Sequence, residues 1–581
     1  TLPSMLLNNP RQFWNVVNHA PYSPLALIDD SENIIEINQC ATVLNHLFSS
    51  HFTAHSPLTL SLPITSNVLP MDPICIDFEG IVSIIKSLKM SSSCGVDGIN
   101  SKVLQSTKYS SSLFLTKKFQ QSLDTTAVPE DWRIGKVIPV HKSGNKSSPL
   151  NYRPISLTSV PSKILEHVIH KQLSIHLDSI SFFNKAQHGF RRNYSCETQL
   201  LCLTNDLFAN LDSGYPTDAV FLDFAKAFDK VPHNRLLLKL SSLNLDNNVL
   251  SWIESFLSQR HQFVYVNDCS STLAPVTSGV PQGTVLGPLL FLIYINDLPL
   301  QVSSPMCLFA DDCVLYRKIT SPHDSLTLQN DLDLVQSWCT NWQMTLNVSK
   351  CKCMRFSRSS FQTSPVHFLN GIPLQPTDMY KYLGVLLTSN LSWENHINSV
   401  VSSANKSLGF LRRNFRSAPS QLKRLLYLAL VRSKLEYASS IWHPHHATLT
   451  DYIETVQNRA ARFIQSDYSS FSSVSLIKSN LSLPLLSTRR KIFRLCLLHK
   501  VFYSPRLNQS LLSPPAYLSS RLDHCNKIAR PKCFSTAHQH APLPDAIVDW
   551  NDLPEDIVTI QDPIRFREAV TNIVLHTHSP L

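Results

Sequence analysis

Residues 217–223 read "TDAVFLD", an apolar run closed by a carboxylate, and residues 307–317 read "CLFADDCVLYR", two apolar runs with Asp311 and Asp312 between them. Short apolar runs bounded by polar residues predict buried strands, and Asp between two of them predicts a hairpin turn. "GKVIPVHK" (135–142) alternates like a strand, and "QFVYVND" with "STLAPVTSGV" (262–280) predicts a strand pair. Helical spacing marks "FEGIVSIIKSLK" (78–89) and "SKILEHVIHKQLSIHL" (162–177), while "PLLFLIYINDL" (288–298) reads as a buried helix entered through a Gly/Pro loop. "TDAVFLDFAKAFDKV" is expected to turn helical after Asp223.

From residue 391 to 500 the pattern is helical with basic faces, in "ANKSLGFLRRNFR", "QLKRLLYLALVRSKLEYA" and "IETVQNRAARFI". Upstream, "PRQFWNVVNHA" and "IEINQCATVLNHLFSSHF" look helical, and the Pro/Ser-rich "HSPLTLSLPITSNVLPMDP" (55–73) reads as a linker. The tail from about 501 is Pro/His-rich and irregular before "WNDLPEDIVTIQDPIRFREAVTNIV", which predicts one or two short helices. The mixture is an α/β (α+β) protein with four stretches: 1–73, 74–390, 391–500 and 501–581.

Composition adds a partner class. The chain of 581 residues is 43% hydrophobic and 16% charged, with a formal net charge of +10, which leans toward a polyanion. Its 14 cysteines are scattered with no signal peptide ahead of them, so buried thiols are expected rather than a disulfide scaffold. No apolar run is long enough to cross a bilayer, and no membrane partner is expected. The chain opens on Thr1 and reads as the downstream part of a longer polyprotein.

The carboxylates carry the chemistry. A lone carboxylate in "AVFLDFAKAF" costs several kcal/mol unless a cation or donors compensate. If the strand of Asp223 lies beside the hairpin of Asp311 and Asp312, their oxygens converge on hard divalent cations such as Mg²⁺. Two ions about 3.5–4 Å apart serve in-line phosphoryl or nucleotidyl transfer.

"VFLDFAKAFDKV", "SGVPQGTVLGPLLFLIYINDL" and "FADDCVLY", in that order, resemble the palm of reverse transcriptases, more narrowly those of non-LTR (LINE-type) retrotransposons of the jockey-like groups. "GVDGINSKVL", "WRIGKVIPVHKSGNKSSPLNYRPISLTSVPSKILEHVI", "QHGFRRNYSCETQLL", "LNVSKCKCMRF" and "YKYLGVLL" extend the likeness over residues 74–390. The resemblance implies a right-hand polymerase with fingers and palm over 74–390, a thumb over 391–500, and a C-terminal region over 501–581. It implies two Mg²⁺ ions, with Mn²⁺ as a substitute, held by Asp223, Asp311 and the Phe224 carbonyl, and Asp312 as the third catalytic carboxylate.

Phe228 matches the bulky gate against a ribose 2′-hydroxyl, and Gln282 and Gly283 match the loop beside the incoming nucleotide. Arg153 and Lys142 match triphosphate contacts, with Lys146 the competing lysine. Lys350 is placed like a general acid to pyrophosphate, the alternative being a solvated lysine at a strand end. Arg412, Arg413, Lys423 and Arg424 would grip nucleic acid, unless they are merely solvated helix faces. Template RNA, DNA primer or target and deoxynucleoside triphosphates are the implied partners, with an endonuclease elsewhere in the element and a nuclear or cytoplasmic ribonucleoprotein setting. Residues 1–56 would be the connector after that nuclease. Rival expectations are a viral-type RNA-dependent RNA polymerase, an intron maturase, or a decayed remnant that only binds RNA. A zinc site at Cys351/Cys353 or Cys525/Cys533 lacks the usual ligand spacing.

One prediction follows from the sequence. Phe228→Ala raises ribonucleotide over deoxynucleotide incorporation in single-nucleotide primer extension, and an unchanged ratio removes the gate assignment.

Overall fold

The computed structural model describes residues 13–14, 24–29, 31–54, 57, 69–358, 366–519, 521 and 523–576. Most of the expected 55–73 linker, and all of "PRQFWNVVNHA" but Phe13 and Trp14, lie outside these residues.

Strand Thr217–Asp223 is the middle of a five-stranded sheet, in the order Gln375–Pro376, Lys352–Phe356, Thr217–Asp223, Asp312–Lys318, Met306–Phe309. The six residues before Asp223 are buried without alternation, because cores cover both faces. Period two still sorts them: Ala219 and Phe221 face a core shared with the C-terminal helices, while Val220 and Leu222 face the other core, with Leu286–Ile295. At the far end of the strand, Arg355 pairs with buried Asp218 through two bonds of 2.6 and 2.7 Å.

Helix Leu286–Ile295 has no polar face and is buried throughout. Its N-terminus is held by buried Glu166, whose carboxylate accepts from the Val285 and Leu286 N–H groups at 2.6 and 3.2 Å. A second sheet pairs Ile134–His141 antiparallel with Tyr152–Leu157 and parallel with Arg260–Val266. The strands Cys269–Ser270 and Ala274–Val276 return along Arg260–Val266, as the 262–280 pattern predicts. Helix Cys40–Ser49 packs on this sheet through Leu44 and Phe48 against Val137, Tyr152 and Val264.

The chain after Asp223 does not become helical at once. Residues 225–229 are turns and the helix starts at His233. Tertiary bonds override the local preference: Ala225 N–H donates to the Thr345 carbonyl at 2.8 Å, and Val280 N–H to the Phe228 carbonyl at 2.8 Å.

Downstream come helices Glu394–Asn414, Ser420–Tyr427, Ala447–Gln465, Val474–Asn480 and Leu486–Phe502, with a π turn at Leu428–Arg432. The final stretch forms two helices as expected, Glu555–Val558 and Pro563–His576, while the part of the tail expected to be irregular also holds helices Pro505–Leu511, Thr536–Gln539 and Pro542–Asn551. Trp550, Phe566 and Val570 join the core that also contains Phe221, so tail and central sheet share one apolar interior.

Asp212, at the C-terminal end of helix Cys196–Asp212, latches the tail. Its carboxylate accepts from the N–H groups of Phe534 and Ser535 at 2.7 and 2.8 Å, and it contacts His538 Nδ1 at 2.9 Å. Asp212→Ala is expected to free this segment, since hydrogen bonds to charged groups contribute about 1.5–3 kcal/mol each. Limited proteolysis under native conditions should then cut between 512 and 540 roughly tenfold faster.

Candidate active site

Asp223 ends the central strand opposite Asp312, which begins the neighbouring one. Asp311 sits in the two-residue turn joining Met306–Phe309 to Asp312–Lys318, with Phe309 paired to Asp312. The other turn residue, Ala310, has φ +57. Residues 187–190 grip this turn. Gln187 Oε1 accepts from the N–H groups of Ala310 and Gly189 at 2.9 and 2.7 Å. His188 N–H donates to the Leu308 carbonyl at 2.9 Å. A Cβ on Gly189 would come within 2.4 Å of the Ala310 nitrogen, so only glycine allows this approach.

The Asp223 backbone is tied from the other side. Its N–H donates to Cys351 Sγ at 3.4 Å and its carbonyl accepts from Asn347 N–H at 2.7 Å. Phe224 bridges to Leu346, and among the described residues nothing donates to the Phe224 carbonyl. Lys350 Nζ stands 3.7 Å from Asp223 Oδ2.

The three carboxylates feel one another. Burial pushes Asp311 up, and the charge of Asp223 adds to it, while Arg153 and Lys142 pull it back. Asp312 is pushed up to about 6, first by burial and then by Asp311 and Asp223. Lys142 is pulled down by desolvation and by the neighbouring charges of Arg153 and Lys350. Lys226, which sequence reasoning missed, is pulled down by desolvation and then by Lys142, Lys350 and Arg153, with Asp229 acting the other way. Lys142, Arg153 and Lys350 therefore ring the three acids, while Lys226 faces Asp229.

Arg153 reaches this ring from strand Tyr152–Leu157, where it pairs with Val140, and Lys142 follows the partner strand. That sheet meets the "PQG" loop: Ser156 N–H donates to the Gln282 carbonyl at 2.8 Å. Gly283 has φ +121, and a Cβ there would meet the Ser156 carbonyl oxygen at 2.3 Å. Its smallness serves the packing of the two segments. Phe228 is half-buried, its ring stacked on Phe291 with centroids 4.5 Å apart.

The expected nucleic-acid residues divide. Arg412 and Arg413 are exposed at the end of helix Glu394–Asn414. Lys423, expected to grip nucleic acid, is instead buried, and Arg424 is half-buried. Lys423 is 3% exposed and donates to Ser466 Oγ at 2.7 Å, and Arg424 Nε donates to the Leu481 carbonyl at 2.9 Å. Both cations satisfy backbone or hydroxyl groups at neighbouring helix ends.

Among the described residues no three His, Cys, Asp or Glu side chains are arranged to hold a metal ion unaided. This includes Cys351, Cys353, Cys525 and Cys533, all free thiols. The donor set at the carboxylates is two acids and a carbonyl, hard oxygens that suit a cation completed by water and phosphate oxygens. Gln187 and Gly189 were missed as supports because sequence shows no long-range contact, although "QHGF" stood among the matching segments. Since desolvation and then the neighbouring acids hold Asp312 up near 6, ionising it opposes folding at neutral pH. Asp312→Asn should therefore stabilise the ligand-free chain at pH 7.5 in a chelating buffer. Solvent screening at this exposed residue limits the gain to about 1 kcal/mol, read as a rise of about 1–3 °C in the unfolding midpoint; a fall would show the acids are not in conflict.

Comparison with known proteins agrees with this geometry. Residues 140–387 match the family described as reverse transcriptase (RNA-dependent DNA polymerase). The chain is 30% identical over 424 residues to the "Probable RNA-directed DNA polymerase from transposon BS" of Drosophila melanogaster, covering 70% of this chain and 46% of that protein. To the "RNA-directed DNA polymerase from mobile element jockey" of the same organism it is 29% identical over 355 residues, 59% of this chain and 38% of that one. To the "Retrovirus-related Pol polyprotein from type-1 retrotransposable element R1" of Bradysia coprophila it is 24% identical, covering 68% and 39%. The chain thus spans less than half the length of each of these relatives. Residues 140–387, which carry the paired acids at the end of their central strand, are thus similar to the reverse transcriptase family.

Proposed function

We propose that this chain is an RNA-directed DNA polymerase of a non-LTR retrotransposon, adding deoxynucleotides to a DNA 3′-hydroxyl on an RNA template. The observation that carries the proposal is the meeting of Asp223, Asp311 and Asp312 inside a ring of Lys142, Arg153 and Lys350. In this reading the sheet carrying Arg153 belongs to the fingers, the sheet carrying Asp223 to the palm, and helices from Glu394 onward to the thumb.

Asp223, Asp311 and the Phe224 carbonyl would hold two divalent cations, Mg²⁺ or its substitute Mn²⁺, which supply activation of the attacking hydroxyl and stabilisation of the leaving oxygen. Asp312 stands beside them at the primer side. Arg153 presents a planar fork and Lys142 a point charge to the triphosphate. Lys350, close to Asp223, holds a proton within reach of the departing pyrophosphate. The Phe228 ring, braced by Phe291, fills the space a 2′-hydroxyl needs. Arg412 and Arg413, on an exposed helix end, suit the phosphates of a template–primer duplex. The RNA-bearing complex would act in the nucleus or in a cytoplasmic ribonucleoprotein, with the nicking of a target left to an endonuclease segment of the same element.

Primer extension on a heteropolymeric RNA template with a DNA primer, Mg²⁺ and deoxynucleotides tests this. The expected result is extension by the wild type, lost by at least 10³-fold in an Asp311→Ala, Asp312→Ala variant that still binds RNA, as for removal of central electrostatic groups. A folded, RNA-binding wild type that extends nothing would favour a remnant that only binds.

A further inference from the structure

Asp229 is left without a task by the polymerase chemistry. It lies six residues after Asp223, on the turn that carries Phe228. Among the described residues its side-chain carboxylate accepts one hydrogen bond, from Gln282 Nε2 to Oδ1 at 3.1 Å. No carboxylate–cation pair within 4.0 Å involves it among the described residues, and Lys226 acts on it only at longer range. Burial pushes its pKa up to about 6 against that hydrogen bond and that charge. A desolvated carboxylate is costly, so its retention asks for a compensating use.

The backbone around it explains what that use is. Residues 278–282 are fastened along 228–233: Val280 N–H donates to the Phe228 carbonyl at 2.8 Å, Gly279 N–H to the Val231 carbonyl at 2.8 Å, and Ser278 Oγ to the Asp229 carbonyl at 2.7 Å. His233 Nε2 meets the Gly279 carbonyl at 2.8 Å. On its other side the loop is pinned by Ser156 N–H on the Gln282 carbonyl. The main chain of Gln282 is thus fixed from two directions, while Asp229 alone fixes its amide among the described residues. An ionised carboxylate only accepts, so Gln282 must turn its NH₂ toward Asp229. Its Oε1 and second N–H are left for the cleft.

We propose that Asp229 is a positioning residue that sets the amide of Gln282, so that the "PQG" loop meets the incoming nucleotide in one orientation and in fixed relation to the Phe228 ring. This rests on the polymerase reading above. An amide free to flip would offer donor or acceptor to the same nucleotide atom, weakening the correct substrate and admitting incorrect ones.

A double-mutant cycle tests it, using Asp229→Asn, Gln282→Met and their combination in single-nucleotide primer extension with thermal unfolding alongside. Asp229→Asn should lower kcat/KM for the correct deoxynucleotide about tenfold, mainly through KM, and raise misincorporation, the scale of one hydrogen bond to a charged group. In the Gln282→Met background the same change should cost less than about twofold. Asp229→Glu, which keeps an ionised acceptor, should recover part of the loss. Equal losses in both backgrounds, or no loss from Asp229→Asn, overturn the inference while leaving the polymerase assignment standing. A wild type that extends no primer overturns both.

Discussion

Asp223 and Asp312 face each other across two antiparallel strands whose pairing runs unbroken through seven residue pairs, from Thr217 opposite Lys318 to the acids themselves. That register is over-determined. A slip of one residue would exchange Val220 and Leu222 for Ala219 and Phe221, and both sides of the strand meet packed cores of different shape. The buried Arg355–Asp218 pair locks the far end in the same register. The apolar sheet therefore forces two like charges together at the ends of two inner strands, a conflict the protein sustains because the packed cores on both faces outweigh it. Strain of this kind concentrates where chemistry is done.

The support around those acids is built from segments distant in sequence. Gln187 satisfies the turn of Ala310 and Asp311, Cys351 and Asn347 fasten Asp223, and Ser156 fastens the loop of Gln282. Each makes a backbone contact, so each fixes geometry without adding charge to the crowded centre. Glu166 plays a similar part at the start of Leu286–Ile295, where it accepts from the Val285 and Leu286 N–H groups while the local Thr284 Oγ1 accepts from Gly287 N–H.

Much of this was legible in the sequence because it is written in short-range pattern. The strand before Asp223, the hairpin around Asp311, the buried helix after the Gly/Pro loop and the helical region past 391 each follow from periodicity within a dozen residues. What the pattern missed depends on partners far along the chain. The stretch after Asp223 has helical spacing, yet Thr345 and Val280 take its backbone groups first. Lys423 has the spacing of a surface cation, yet Ser466 lies beneath it. The meaning of Asp229 was hidden because a second acid in "DFAKAFDK" looks like any solvated Asp until Gln282 is beside it.

The charge balance at the centre explains why the cations stand where they do. Lys142, Arg153 and Lys350 match Asp223, Asp311 and Asp312 in number, as Lys226 matches Asp229, and desolvation first, then mutual repulsion, lowers the proton affinity of Lys142 and Lys226. Adding a polyphosphate to such a centre makes it net negative and relieves the cations, but it worsens the position of the acids. Both halves are relieved together only if further positive charge arrives on the acid side with the phosphate. A hard divalent ion shared between carboxylate and phosphate oxygens meets that demand, and a univalent one falls short in charge density. In the polymerase reading proposed above, the cationic ring and the acid cluster are thus complementary parts of one anion-and-cation site.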